Sequence, residues 1–190
     1  MRRYLFHPFL AIAIIAATLS ASARVHAASA PIPKAPIFIT TAGQSGDMAL
    51  AKQAVDALGL RSSAAPAAIC CDIKSSSTVM IVFRADEDGM KAAWLTARTE
   101  QRRIEDILGK MRASGLAIIG IHLGGQAEMD PITRRLLDAS MSGVHYFIAT
   151  RGASTDDYFS AAAQKYGLRL ILIDGPSRLQ DAIAGLFAAE

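Results

Sequence analysis

Cysteine is nearly missing: Cys70 and Cys71 are the only two in 190 residues, and they are neighbours. A disulfide between adjacent residues demands a strained peptide unit. Two thiols with no further His or Cys at ligand spacing make no closed zinc site. The pair therefore reads as two small apolar residues in a packed segment, and no metal is expected there. Long apolar runs are missing too. The stretch Phe9 to Leu19 has 11 residues, well short of the ~20 that a spanning helix needs. The chain holds no GxxxxGK[ST], no GxGxxG and no GxSxG, which removes the usual nucleotide loops and the hydrolase elbow.

That short apolar stretch has a different meaning. Arg2 and Arg3 precede it, and small residues ending in Val25-His26-Ala27 follow it. Basic, apolar, small: this is the order of a secretory signal peptide over residues 1–27, and it predicts a periplasmic or secreted protein. Cleavage after Ala30 would place Pro31 first and is the less favoured cut. An uncleaved anchor is the alternative, and no stable membrane anchor is expected after cleavage. Removing residues 1–27 takes away Arg2, Arg3 and Arg24 and no acid, leaving 17 Lys+Arg against 17 Asp+Glu. A chain neutral in total offers no electrostatic case for nucleic acid or for an anionic membrane.

What remains is about 163 residues, enough for one well-buried core. Residues 28–35, with Pro31 and Pro33, predict an extended lead-in to a single domain over 36–190. Ile37 to Thr41 reads as a strand, and Ala42-Gly43-Gln44-Ser45-Gly46-Asp47 as a turn. Met48 to Leu58 reads as a helix, capped by Ser45 or Asp47 and stopped at Gly59. Leu60 to Ala64 reads as an edge strand, and Ala67 to Ile73 as a short helix or turn. Thr78 to Phe83 is a buried strand whose polar exit loop runs on past Trp94. A helix follows over about Thr99 to Ala113, with Ile104, Ile107, Leu108 and Met111 on one face.

The strand Leu116 to Leu123 breaks on Gly124-Gly125, and Asp130-Pro131 caps the next helix. Val144 to Thr150 is a strand, with Ser154 or Thr155 capping the helix that runs to Tyr166. Leu168 to Ile173 and Leu179 to Ala188 complete the chain as strand and helix. Nearly continuous apolar strands alternating with helices mean a parallel sheet covered on both faces. The expectation is an α/β, three-layer, doubly wound domain, flavodoxin-like or Rossmann-like, with a five- to six-stranded, mostly parallel sheet.

Ligands in such sheets bind beyond the carboxyl ends of the strands. That rule gathers Gln44, Ser45, Arg84, His122, Gly124, Gly125 and Arg151 on one rim as candidate ligand-binding residues. Two glycine-bearing loops with nearby arginines suit a small anionic molecule. Each residue also has a plainer role: Ser45 as a helix cap, His122 as a hydrogen-bonded pin, the arginines as partners for Asp86 to Asp88. That acidic run is a solvated turn or a loose divalent-cation contact. Ser45 and His122, with Asp174 behind them, make the hydrolase or transferase alternative. Thr40 to Ser45, TTAGQS, comes near the T-x-T-G-x-T phosphate loop of flavodoxins, and Trp94 could stack on a flavin, so flavin binding is a further alternative. Beyond that alternative no cofactor is assigned. A protein-partner domain without a ligand is the remaining class.

The segments PIFITTAGQSGD (36–47), IIGIHLGG (118–125) and DDYFSAAAQKYGLRLILID (156–174) resemble an uncharacterised family of exported bacterial proteins, a domain of unknown function. The resemblance covers essentially the mature chain. It implies a small α/β domain behind a signal peptide and brings no activity, cofactor or catalytic residue. It draws attention to Gln44, Ser45, His122 and the two glycines. The chain departs from the family pattern over Ser62–Ser77 and in the Arg84–Trp94 loop.

Overall fold

Three adjacent strands of six residues each are buried along their whole length, as is a shorter fourth beside them, and they form the middle of the sheet. The three are β1 (Ile37–Ala42), β3 (Thr78–Phe83) and β4 (Ala117–His122). The computed structural model describes residues 30–125, 129–153 and 156–188. The expected signal peptide and the expected caps Ser154 and Thr155 lie outside the described residues. With β2 (Ser62–Ala64), β5 (Tyr146–Thr150) and β6 (Arg169–Ile173), the strands form one six-stranded sheet of order β2-β1-β3-β4-β5-β6. Every pairing is parallel. This is the doubly wound, flavodoxin-like arrangement.

Alternation along each strand divides the core into two layers. Phe38, Val79, Ile81, Phe83, Ile118 and Phe147 pack under α3 (Ala97–Ala113), α4 (Pro131–Ser140) and α5 (Tyr158–Tyr166). Ile37, Ile39, Met80, Val82, Ile119 and Ile121 pack under α1 (Met48–Ala57) and α6 (Leu179–Phe187). Gly120, at the middle of β4, is where the first layer needs space. A Cβ there would lie 2.4 Å from the Phe147 ring, which itself packs against Phe83 and Phe159.

The expected elements are present, several trimmed at their ends. α4 has the predicted cap, with Asp130 accepting the amides of Ile132 and Thr133 and Pro131 opening the helix. α3 starts earlier than expected, because Thr96 and Thr99 form a reciprocal capping box. The exit loop of β3 is not continuous loop. It contains α2 (Glu87–Ala92), where Asp86 caps the amides of Asp88 and Gly89. One carboxylate of the acidic run is thus engaged at a helix start, and no group of three metal-capable side chains occurs among the described residues. Cys70 is half-buried against the first layer, as expected, but Cys71 is exposed, and both are free thiols.

Candidate functional site

Strand order reverses between β1, followed by β2 on one side, and β3 on the other. A doubly wound sheet keeps its ligand crevice at this reversal. Here the two loops that would flank the crevice are joined. Gln44 bridges to Ala85, the Asp86 amide donates to the Gly43 carbonyl at 2.7 Å, and the Ala85 amide donates to Thr133 Oγ1 at 2.8 Å. Arg84 donates to both oxygens of Asp47, at 3.0 and 3.2 Å. Gly43 permits this approach. Its φ is +103°, and a Cβ would stand 2.4 Å from the Arg84 carbonyl oxygen.

Beneath these loops is an ion pair that the sequence reading missed. Glu100, in the first turn of α3, is fully buried, and its partner Arg103 is 8% exposed. Glu100 Oε1 accepts from the Gly43 amide (2.8 Å), Gln44 Nε2 (3.0 Å) and Arg103 Nη2 (2.8 Å). Glu100 Oε2 accepts from Arg103 Nε at 2.7 Å. Arg103 also donates to the carbonyls of Ala68 and Thr41. Burial alone would raise the Glu100 pKa. The Arg103 guanidinium, the Gly43 amide and the Gln44 carboxamide outweigh it and hold the carboxyl below its ordinary range. A signal was present in the sequence: continuing the stripe Ile104, Ile107, Leu108, Met111 back one turn lands on Glu100.

His122 is fully buried. Its Nδ1 lies 2.7 Å from the Phe83 carbonyl, which can only accept, so Nδ1 carries the proton. The ring stacks on Phe159 of α5 at 5.8 Å. His122 thus belongs to the layer under α3, α4 and α5, whereas Ser45 leads into α1 on the other face of the sheet. Ser45 Oγ is buried and has no hydrogen-bond partner among the described residues. No Ser45–His122 hydrogen bond is formed.

The remaining candidates are spread along the rim. The Gly124 carbonyl accepts from Thr150 Oγ1, and Gly125 is exposed. Arg151 donates to Asp174 at 2.8 Å, with both side chains largely in solvent. Asp174, the third member of the imagined triad, is therefore engaged by Arg151. A hollow of about 50 Å³ opens between Arg151 and the start of α5, lined by Thr150, Asp157, Phe159, Ser160 and Leu172. Small-molecule sites run to about 300–1,000 Å³, so the hollow admits a small ion and not a nucleotide. A larger space of about 300 Å³ lies between α1 and the start of α6, near Leu50, Gln53, Ser177 and Gln180. Trp94 is 94% exposed just beyond α2, with φ of +58°.

Residues 34–187, most of the chain, match the family model described as a domain of unknown function, DUF6305, and the chain belongs to that family. No curated protein matches it.

Proposed function

We propose that this member of a family without an assigned activity is an exported binding or accessory domain rather than a catalyst. One observation carries the reading: the polar groups under the rim serve the fold. Glu100 and Arg103 hold the β1 loop, Arg84 is engaged by Asp47, and His122 is closed off between the Phe83 carbonyl and the Phe159 ring. A nucleophile, its base and an open approach do not coincide at any of them.

The small anionic ligand expected from the rim loops can meet Arg151, which lines the hollow at the start of α5. Its bond to exposed Asp174 is worth about 0–1 kcal/mol, so a phosphate or carboxylate can displace it. Asp156, Asp157 and Asp174 stand close in the same loops and oppose the anion, which sets the expected affinity near millimolar, about −4 kcal/mol. A thermal-shift series with phosphate, citrate and FMN at low salt tests this. Phosphate or citrate should stabilise the wild type but not Arg151→Ala. Equal shifts in both proteins would remove Arg151 from the reading. Labelling of Ser45 by a serine-directed fluorophosphonate would favour the hydrolase alternative and overturn the non-catalytic one.

A further inference from the structure

Residues 28–190, neutral in total, need not be neutral at each end. All six strands are parallel, so every strand begins at the same end of the sheet, and the helices that lead back to them finish there. Lys110 and Arg112 occupy the last turn of α3, and Lys165 the last turn of α5. Lys34 lies at that end too, exchanging backbone hydrogen bonds with Thr78 Oγ1 at the first residue of β3. Arg61 directly precedes β2, Lys74 precedes β3, and Arg169 opens β6. All seven are exposed, and none forms an ion pair among the described residues. Arg84 and Arg151, at the opposite end, are both paired with aspartates.

Cations in last helical turns compensate the helix dipole. That accounts for Lys110, Arg112 and Lys165. It does not account for Lys34, Arg61, Lys74 and Arg169, which lie in loops or at strand starts. The acids at this end are engaged: Asp56 is paired with Lys52, Asp72 accepts the Ile69 amide, and Asp138, beside Lys165, is paired with Arg134. Apolar side chains stand among the cations, with Ile32 53% and Tyr166 39% exposed. The lead-in is fixed to the same end, where Tyr146 Oη donates to the Pro31 carbonyl at 3.1 Å. The described chain thus begins at the basic end, ten residues (20–29) after the apolar stretch Phe9–Leu19 in sequence.

We propose that this end of the domain is a surface that lies against an anionic lipid bilayer. Before cleavage the apolar N-terminal segment delivers the domain with this face towards the membrane. After cleavage the cations hold it there by attraction to lipid phosphates, with Ile32 entering the headgroup layer. Each Lys or Arg near an anionic surface improves partitioning roughly fivefold. Seven give reversible, salt-sensitive binding and not insertion.

All strands and both layers of the core lie within 37–187, so residues 28–190 contain the whole fold. That chain is mixed with phosphatidylcholine vesicles with and without a quarter of phosphatidylglycerol, and bound protein is measured by sedimentation. Binding is expected to the phosphatidylglycerol vesicles alone and to disappear in about 0.5 M sodium chloride. The charge-reversing triple variant K74E/K110E/R169E should bind more than about a hundredfold less. If that variant melts early, the neutralising set K74A/K110A/K165A replaces it, with a fall of roughly a hundredfold. Rim variants D86N and D88N should bind as wild type. Equal binding to both vesicle types, or triple variants that bind as wild type, overturns the proposal. Retention on heparin or DNA without vesicle binding also overturns it, since the face would then serve a soluble polyanion.

Discussion

Replacing Glu100 with Gln is the sharpest test of how the strand-end loops are held. The substitution keeps the shape and one acceptor oxygen, so the Gly43 amide still has a partner. What changes is charge: Arg103, 8% exposed, is left in the interior without a counter-ion. Its bonds to the Thr41 and Ala68 carbonyls solvate it only in part. Removing one member of a buried pair costs about 3–5 kcal/mol, against a total of about 5–15 kcal/mol for an ordinary domain. At about 2–4 °C per kcal/mol for this size, the melting temperature should fall by roughly 6–20 °C. The carboxyl titrates lower in the folded chain than in the unfolded one. Its contribution is therefore complete above the unfolded value, about 4.3, and is lost as pH falls through the lower folded value. Urea unfolding followed by circular dichroism at neutral and acidic pH measures both effects. The variant should be less stable at neutral pH and should lose less on acidification. A loss below about 1 kcal/mol would mean that the pair behaves as a surface pair, and the account of the interlocked loops would be wrong.

Two other substitutions probe the core and its pH response. Gly120→Ala places a Cβ 2.4 Å from the Phe147 ring, where neighbouring rings leave little room to move. The cost should be about 1–3 kcal/mol, read from the urea midpoint; an unchanged midpoint would show that Phe147 can give way. At the start of β5, His145 Nδ1 accepts the Ile118 amide at 3.1 Å, which requires the neutral ring. Burial, followed by repulsion from Arg112, lowers its pKa. Stability from His145 is thus complete above about 6.5 and declines as pH falls below that, so melting curves at about pH 7 and 5 should differ more for wild type than for His145→Ala. The same slope in both would remove His145 as the source.

The fold was legible because each strand states its surroundings. TVMIVF and AIIGIH are apolar on both faces, which only a covered parallel sheet accommodates. Asp130-Pro131 marked a helix start because cap chemistry is local. The centre of the candidate site was hidden because its main bonds are between distant residues. Glu100 meets Gly43 and Gln44 across 57 and 56 positions, and a charged residue on a helix is ordinarily assigned to solvent. Its place on the apolar stripe was the available clue. α2 is hidden for a different reason: six residues give too little periodicity to read, so its cap at Asp86 looks like part of a polar loop.

The strand-end rule therefore locates a place in this fold and leaves its use open. At the reversal of strand order the expected crevice is filled from above by the contact of Gly43 with Arg84 and Ala85, and from below by Glu100 and Arg103. A larger residue at position 43 could not coexist with that contact, since the positive φ and the 2.4 Å approach both exclude a side chain. The closure is thus written into the residue types of the loops and is not a chance packing of flexible side chains. A ligand at this end would have to sit outside the reversal, or would have to break a bridge, an ion pair and the hydrogen bonds to Glu100 together. The second route costs several kcal/mol before any ligand contact is made.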